Sequence, residues 1–394
     1  MTLAQSFLFF LILLGAAAIA LRLLSRTAPI VPYPVLLAVG GIAIGLVPGL
    51  RLPPIGADLI LLAFVPGLVF EASLSLNLPE LWRRVVPVSL LATAGVFLTV
   101  LLIGGLAHYG LGLDWASGFL LGSIVAATDP IAVVTLLRQL RAPRGLEAIL
   151  DGESLFNDGT GVAVFAAVLG TIVSGQPSVV DAGVRFLFVT GVGLAIGVVA
   201  GVAAVAFLRL VREAELEILI TLVLAYGSYL AADVLHASGV VSVVSAGIVV
   251  ARYGSRTGRL QGTQLHGFWS LLAFVLNAVL FLMVGIALPT QHLLSIAGLV
   301  LGAYVIMLAA RVIPVYGLLA LADPRAVSIP WRWRHMTLWG GLRGALSVAL
   351  ALSVAGDHPQ VALLAYGMVV LSLVVQGGLL VPVAEVLRLQ GDTD

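Results

Sequence analysis

The sequence contains no cysteine and no lysine, and charged residues make up only 10% of its 394 positions. Without cysteine there are no disulfides, thiolate metal sites or thiol nucleophiles. With 61% of residues hydrophobic, there is too little polar side chain to cover a soluble fold. Ordinary globular domains are roughly 45–50% apolar and about 25% charged. A soluble enzyme and a nucleic-acid binder are therefore excluded, and the composition is that of an all-α polytopic membrane protein. The net charge of +1 points to no acidic partner. The exclusive use of arginine among the basic residues reads as coding bias rather than mechanism.

A hydrocarbon core of about 30 Å takes roughly 20 apolar helical residues to cross. Thirteen such runs are predicted, at 6–24, 31–50, 57–77, 85–107, 115–137, 147–174, 183–208, 215–235, 239–252, 265–289, 293–322, 335–355 and 359–387. The ninth is short and needs neighbours or tilt to span. The N-terminus enters apolar sequence with no basic segment before it, so the first run is expected to be a retained span rather than a cleaved signal. Arginine placement then orients the chain. Arg22, Arg26, Arg83, Arg84, Arg138, Arg141, Arg144, Arg209, Arg212, Arg252, Arg256, Arg259, Arg325, Arg332, Arg334 and Arg388 fall on one side, against Arg51 and Arg185 on the other. By the positive-inside rule the C-terminus is expected in the cytoplasm and the N-terminus outside. Trp82, Trp331 and Trp333 fall at the cytoplasmic edges, where interfacial aromatics belong.

Charges inside a span are costly and point to function or to a partner. They are Glu71 in span 3, Asp129 in span 5, Asp151, Glu153 and Asp158 in span 6, Arg311 in span 11 and Arg343 in span 12. At 1.5 Å per residue Asp158 lies about 16 Å and Asp129 about 12 Å from the inner ends of their spans, so the two share a level near the midplane. Pro130 has no N–H, which frees the carbonyl of Ala126 and loosens the backbone around Thr128. Freed carbonyls at this depth are tolerated where they line a cavity or bind an ion. Ser154 and Asp158 share one helix face, and Glu153 and Asn157 the adjacent one. Hydroxyl, carboxylate and carbonyl oxygens suit a hard cation, and Gly152, Gly159 and Gly161 let a neighbouring helix approach.

Blander readings stand beside these. Pro130 serves as a plain kink, Asp129 as a cap on a broken helix, and Glu153 with Arg311 as a neutral structural pair. Asp151 and Glu147 lie near the cytoplasmic mouth, solvated and drawing cations inward. Gly193, Gly197 and Gly201 form a small-residue packing stripe, and His236, His292, His335 and His358 are interfacial.

Three motifs in order, Ala127-Thr128-Asp129-Pro130, Gly152 through Gly159, and Gly340-Gly341-Leu342-Arg343-Gly344-Ala345, resemble the signatures of the cation:proton antiporter family that includes bacterial NhaP and the animal sodium/proton exchangers. The resemblance implies thirteen helices in two inverted six-helix repeats, with spans 5 and 12 interrupted, and no cofactor. It implies a moving core of 85–174 and 293–387, a scaffold and dimer domain of 1–77 and 215–289, and a linker helix at 183–208. It also implies a homodimer in a prokaryotic plasma (inner) membrane serving pH homeostasis. Carried over by position, Asp158 binds either cation or proton, Ser154 supplies a hydroxyl, and Thr128 a carbonyl to Na+. Asp129 acts through its unwound segment or a bridging water, Asn157 ties the broken helix to span 6, and Glu71 completes the site from the scaffold. Glu153 and Arg311 form a stabilising pair, and Arg343 places positive charge near the second break. The large cytoplasmic tail of the animal exchangers is absent, so regulation of that kind is not expected.

The expected function is exchange of Na+ or Li+ for H+. Burial disfavours an ionised carboxylate and a bound cation favours it, so the two compete for Asp158, and alternating access makes the exchange obligatory. Asn157 cannot titrate, which leaves one acid in the pair and an electroneutral 1:1 exchange as the simplest outcome. A K+/H+ exchanger would use the same site. A cation channel would need no deep titratable acid. An intramembrane aspartyl protease would pair Asp129 with Asp158, but its Gly-x-Gly-Asp motif is missing.

Overall fold

The computed structural model describes residues 3–27, 33–47, 56–175, 179–211, 213–254, 263–286, 295–323 and 329–389. Arg51, Arg212, Arg256, Arg259, Arg325 and His292, as well as the side chain of Arg26, lie outside what is described. The described residues form helices and contain no strand. Among the described residues, eight helices are long and apolar enough to cross a membrane: Leu8–Ser25, Val85–Leu111, Arg144–Ser174, Val180–Leu208, Ala214–Val234, Gln264–Ile286, Ala297–Ala322 and Pro359–Gly377. Shorter apolar helices at Tyr33–Gly45, Ile60–Ser75, Trp115–Ile124 and Gly239–Tyr253 lie among them. Large apolar side chains such as Leu187, Val199 and Val223 are exposed on the outer helices, as lipid contact requires. The chain is an integral membrane protein.

Two segments read as apolar runs are broken in the middle. Span 5 is Trp115–Ile124 followed by Ile131–Gln139, and span 12 is Trp331–Trp339 followed by Ala345–Ser353. Asp114 caps the first of these, its carboxylate accepting the Ser117 N–H at 3.0 Å, and hydrogen bonds from the Ser117 side chain and then its N–H hold the carboxyl below the usual range. Span 13 is not the single run expected: Pro359–Leu371 leads into a π turn at Ser372–Gly377 and then Leu380–Val386. Spans 3 and 4 also carry π turns, at Ile60–Phe64 and Leu91–Gly95. In span 3, Pro66 offers no N–H to Leu62, and the helix widens there. The connection before span 4 forms a short helix, Leu78–Arg83, capped by the Asn77 side chain, which accepts the Glu80 N–H at 3.2 Å. Trp82 and Trp331 are exposed, but Trp333 is buried rather than interfacial, with the Arg84 guanidinium 5.4 Å from its ring.

Helices in lipid associate by close packing rather than by apolar burial, so small residues mark the contacts. Spans 2 and 10 cross at Gly41 and Gly285, where a methyl on Gly285 would stand 2.8 Å from the Gly41 Cα. The stripe of Gly193, Gly197 and Gly201 packs on span 9, and a methyl on Gly201 would meet Val249 at 2.9 Å. Spans 4, 5, 6, 11, 12 and 13 pack mainly on one another, as do spans 2, 3, 8, 9 and 10, while span 7 leans on spans 6, 8 and 9. Glu71, Thr128, Asp129, Ser154 and Asp158 line a cavity where these two groups of helices face each other.

Candidate cation and proton site

The two helix breaks meet. The Asp129 N–H donates to the Leu342 carbonyl at 2.8 Å, joining the unwound backbone of span 5 to that of span 12. The Ala126 carbonyl that Pro130 frees does not stay open: it accepts Arg343 Nη1 at 2.9 Å, and the Ala127 carbonyl accepts the same nitrogen at 3.0 Å. Arg343 is fully buried, and its own N–H donates to Ser372 Oγ at 3.0 Å. Asp129 is the counterpart. Its Oδ1 accepts the Ile131 N–H at 3.0 Å, and its carboxyl lies against Gly344, just before Ala345–Ser353 begins. Arg343 thus complements the carbonyls closing Trp115–Ile124, and Asp129 an amide opening Ile131–Gln139.

Span 6 holds this crossing in place. Asn157 accepts the Thr128 N–H at 3.1 Å and donates to Thr128 Oγ1 at 2.8 Å. Ser154 Oγ donates to the Thr128 carbonyl at 2.5 Å. The two faces of span 6 have separate surroundings. Glu153 pairs with Arg311 at 2.8 Å, and Arg311 also donates to the Thr337 carbonyl at 3.1 Å; Glu153 and Arg311 face a small space shared with Asn157, Gly95 and Pro314. Ser154 and Asp158 face a much larger cavity instead. The Asp158 carboxylate accepts no hydrogen bond among the described residues.

That cavity has a volume of about 530 Å³. Its lining includes Thr128, Asp129, Pro130, Ser154 and Asp158 on one wall and Glu71, Ser270 and Asn277 on the other. It reaches the exposed residues Arg138 and Gln139 at the end of span 5. Glu71 accepts the Ser75 hydroxyl at 2.8 Å. Asp151 and Glu147 are paired rather than simply solvated, lying 3.1 Å and 3.6 Å from Arg138. Of the residues singled out from the sequence, Asp158, Asp129, Ser154, Thr128, Pro130 and Glu71 line this cavity, and Asn157, Glu153, Arg311 and Arg343 lie behind it.

Sequence reasoning missed Ser372 and Gln376 in span 13. Ser372 Oγ donates to Gln376 Oε1 at 2.9 Å, Gln376 Nε2 to the Trp339 carbonyl at 3.0 Å, and Trp339 Nε1 to the Gln376 carbonyl at 3.0 Å. The pair secures the second break much as Asn157 secures the first. A serine and a glutamine four apart in an apolar run carried the signal. The oxygen-only donor set of Asp158, Ser154 and the Thr128 carbonyl suits a hard cation, and a buried carboxylate without a hydrogen-bond partner among the described residues also suits a proton.

The profile of the family described as "Sodium/hydrogen exchanger, transmembrane" matches residues 9–386. The chain is 35% identical over 372 residues to the Na+/H+ antiporter ApNhaP of Aphanothece halophytica, covering 92% of this chain and 71% of that protein. It is 35% identical over 338 residues to the Na+/H+ antiporter NhaP of Pseudomonas aeruginosa, covering 82% and 79% respectively. Its fold resembles the sodium proton antiporter MjNhaP1 of Methanocaldococcus jannaschii, with a TM-score of 0.80 over 96% of this chain and 99% of that one at 19% identity. The chain belongs to the transmembrane sodium/hydrogen exchanger family.

Proposed function

We propose that this protein is a secondary antiporter exchanging Na+ or Li+ for H+, one for one and without net charge movement. The observation that carries the proposal is the Asp158 carboxylate: it has no hydrogen-bond partner among the described residues, faces the large cavity, and sits beside the Ser154 hydroxyl and the Thr128 carbonyl at the crossing of two broken helices. Cation and proton compete for that carboxylate, and Glu71 approaches it from the opposite wall. Asn157, held by Thr128, offers no second titrating group.

The reading extends to architecture. Thirteen spans form two inverted repeats around span 7, with the N-terminus outside and the C-terminus in the cytoplasm of a prokaryotic cell. Spans 4–6 and 11–13 act as a core that rocks against a scaffold of spans 1–3 and 8–10, and the scaffold carries a homodimer interface. In this reading the cavity opens towards the arginine-rich, cytoplasmic side. The packing of spans 4–6 and 11–13 on one another supports the division.

The test uses proteoliposomes that are acid inside. Sodium, lithium or potassium is added outside, with and without a valinomycin potential clamp. Sodium or lithium should dissipate the gradient, the clamp should leave the rate unchanged, and Asp158→Asn should be inactive. Activity with potassium alone would keep the site and change the substrate. Full coupling in Asp158→Asn would overturn the reading.

A further inference from the structure

Arg138 is a cationic group at the mouth of the cavity that no part of the proposed exchange uses. It stands in the last turn of Ile131–Gln139, the half-helix that begins just after Asp129. Its Nη2 lies 3.1 Å from Asp151 Oδ2 and its Nε 3.6 Å from Glu147 Oε2, with 54% of its side chain exposed. Asp151 lines the cavity on the same face of span 6 as Asp158, about 10 Å nearer the mouth at 1.5 Å per residue. The other guanidinium on the lining, Arg22, is held on the opposite wall against the rings of Tyr33 and Phe274, at 5.1 Å and 5.9 Å.

An ion pair this exposed contributes little to holding two helices together. Its effect on the cavity is larger, because much of the wall is apolar and the other guanidinium on the lining, Arg22, stands on the opposite wall. In such a space one fixed charge shifts the local concentration of a mobile ion substantially. With Arg138 in place, the negative charge of Asp151 and Glu147 is halved rather than left whole, and the approach to Asp158 attracts cations less than its carboxylates alone would.

We propose that Arg138 is a tethered counter-cation at the cavity mouth, lowering the affinity for the transported cation by offsetting part of the negative charge of Asp151 and Glu147; this rests on reading the cavity as the cation's route to Asp158. The consequence is a half-saturating cation concentration held higher than the binding groups would set.

The two partners of this pair therefore have opposite effects. Arg138→Gln should lower the half-saturating sodium concentration, and Asp151→Asn should raise it, each by roughly three- to tenfold. The double variant should return close to wild type, and Arg138→Lys, which keeps the charge, should match wild type throughout. Both shifts should shrink when choline chloride raises the ionic strength. A simple staple between two helices would respond alike to loss of either partner, with maximal rate and stability falling together. Arg138→Met, which keeps the aliphatic stem, substitutes if the glutamine variant does not fold.

Two readouts are needed at one fixed alkaline pH: sodium-dependent proton flux in proteoliposomes, and the sodium concentration that half-protects the detergent-solubilised protein from thermal unfolding. If wild type transports but the two single variants shift in the same direction, or neither shifts, the role assigned to Arg138 is wrong and the antiport reading stands. If wild type moves no protons but half-protection separates in opposite directions, antiport fails and the role of Arg138 stands.

Discussion

The guanidinium of Arg343, in the break of span 12, donates to the main-chain carbonyl of Ala126, in the break of span 5, at 2.9 Å. One buried side chain thus satisfies, in the other half of the molecule, a backbone group that Pro130 had left open. Arg343→Met would leave the Ala126 and Ala127 carbonyls without their donor, at a cost of about 1–3 kcal/mol each. The variant should unfold at a clearly lower temperature in detergent and lose transport, with Arg343→Lys less severe. An unchanged melting temperature would mean that the cross-tie does not hold the breaks together.

The buried pair of Glu153 and Arg311 predicts a different pattern. Glu153→Gln strands a guanidinium that is 5% exposed, and loss of one partner of such a pair costs about 3–5 kcal/mol. Removing both, as Glu153→Leu with Arg311→Met, should be milder than the sum of the single changes, because no unpaired charge remains. Thermal unfolding of the four proteins closes the cycle, and additive effects would show that the two do not act as a unit.

Gly344 has no room for a side chain, because a methyl there would overlap the Asp129 carboxyl. Gly344→Ala should displace Asp129 from the start of Ala345–Ser353 and cost about 1–3 kcal/mol by overpacking. Transport should fall more than stability does. Wild-type rates in a folded Gly344→Ala protein would mean that the placement of Asp129 does not matter for exchange.

The sign of the pH dependence follows from competition at one carboxylate. At acid pH the site holds a proton, so the half-saturating sodium concentration should rise as pH falls, approaching about tenfold per pH unit where the protonated form dominates. At alkaline pH the proton-loaded return slows and the rate falls again. The profile is a bell whose acid limb moves to lower pH as sodium is raised. Transport rates measured over a grid of pH and sodium test this, and rates climbing steadily with both would count against a shared site.

Much of this arrangement was legible in the sequence because charge inside an apolar span is rare. Asp129, Glu153, Asp158, Arg311 and Arg343 stand out on that ground alone, and helical periodicity separates the faces of Ser154 and Glu153. Pairings across the molecule were not legible. Nothing local shows that the Ala126 carbonyl meets Arg343, or that Asp129 lies against Gly344, because each contact depends on how the two breaks cross. Ser372 and Gln376 carry no charge and so passed as ordinary apolar span. The π turns at Ile60–Phe64, Leu91–Gly95 and Ser372–Gly377 add a residue without disturbing composition, which a hydropathy reading does not register.

The most direct test of a single shared carboxylate is to count protons as sodium binds. Sodium is added to the solubilised protein in weakly buffered solution containing a pH indicator, across a series of starting pH values. Competition at Asp158 predicts release of up to about one proton per protomer, largest where the site starts protonated and absent in Asp158→Asn. Release that persists unchanged in Asp158→Asn, or sodium binding with no release at any pH, would contradict the account.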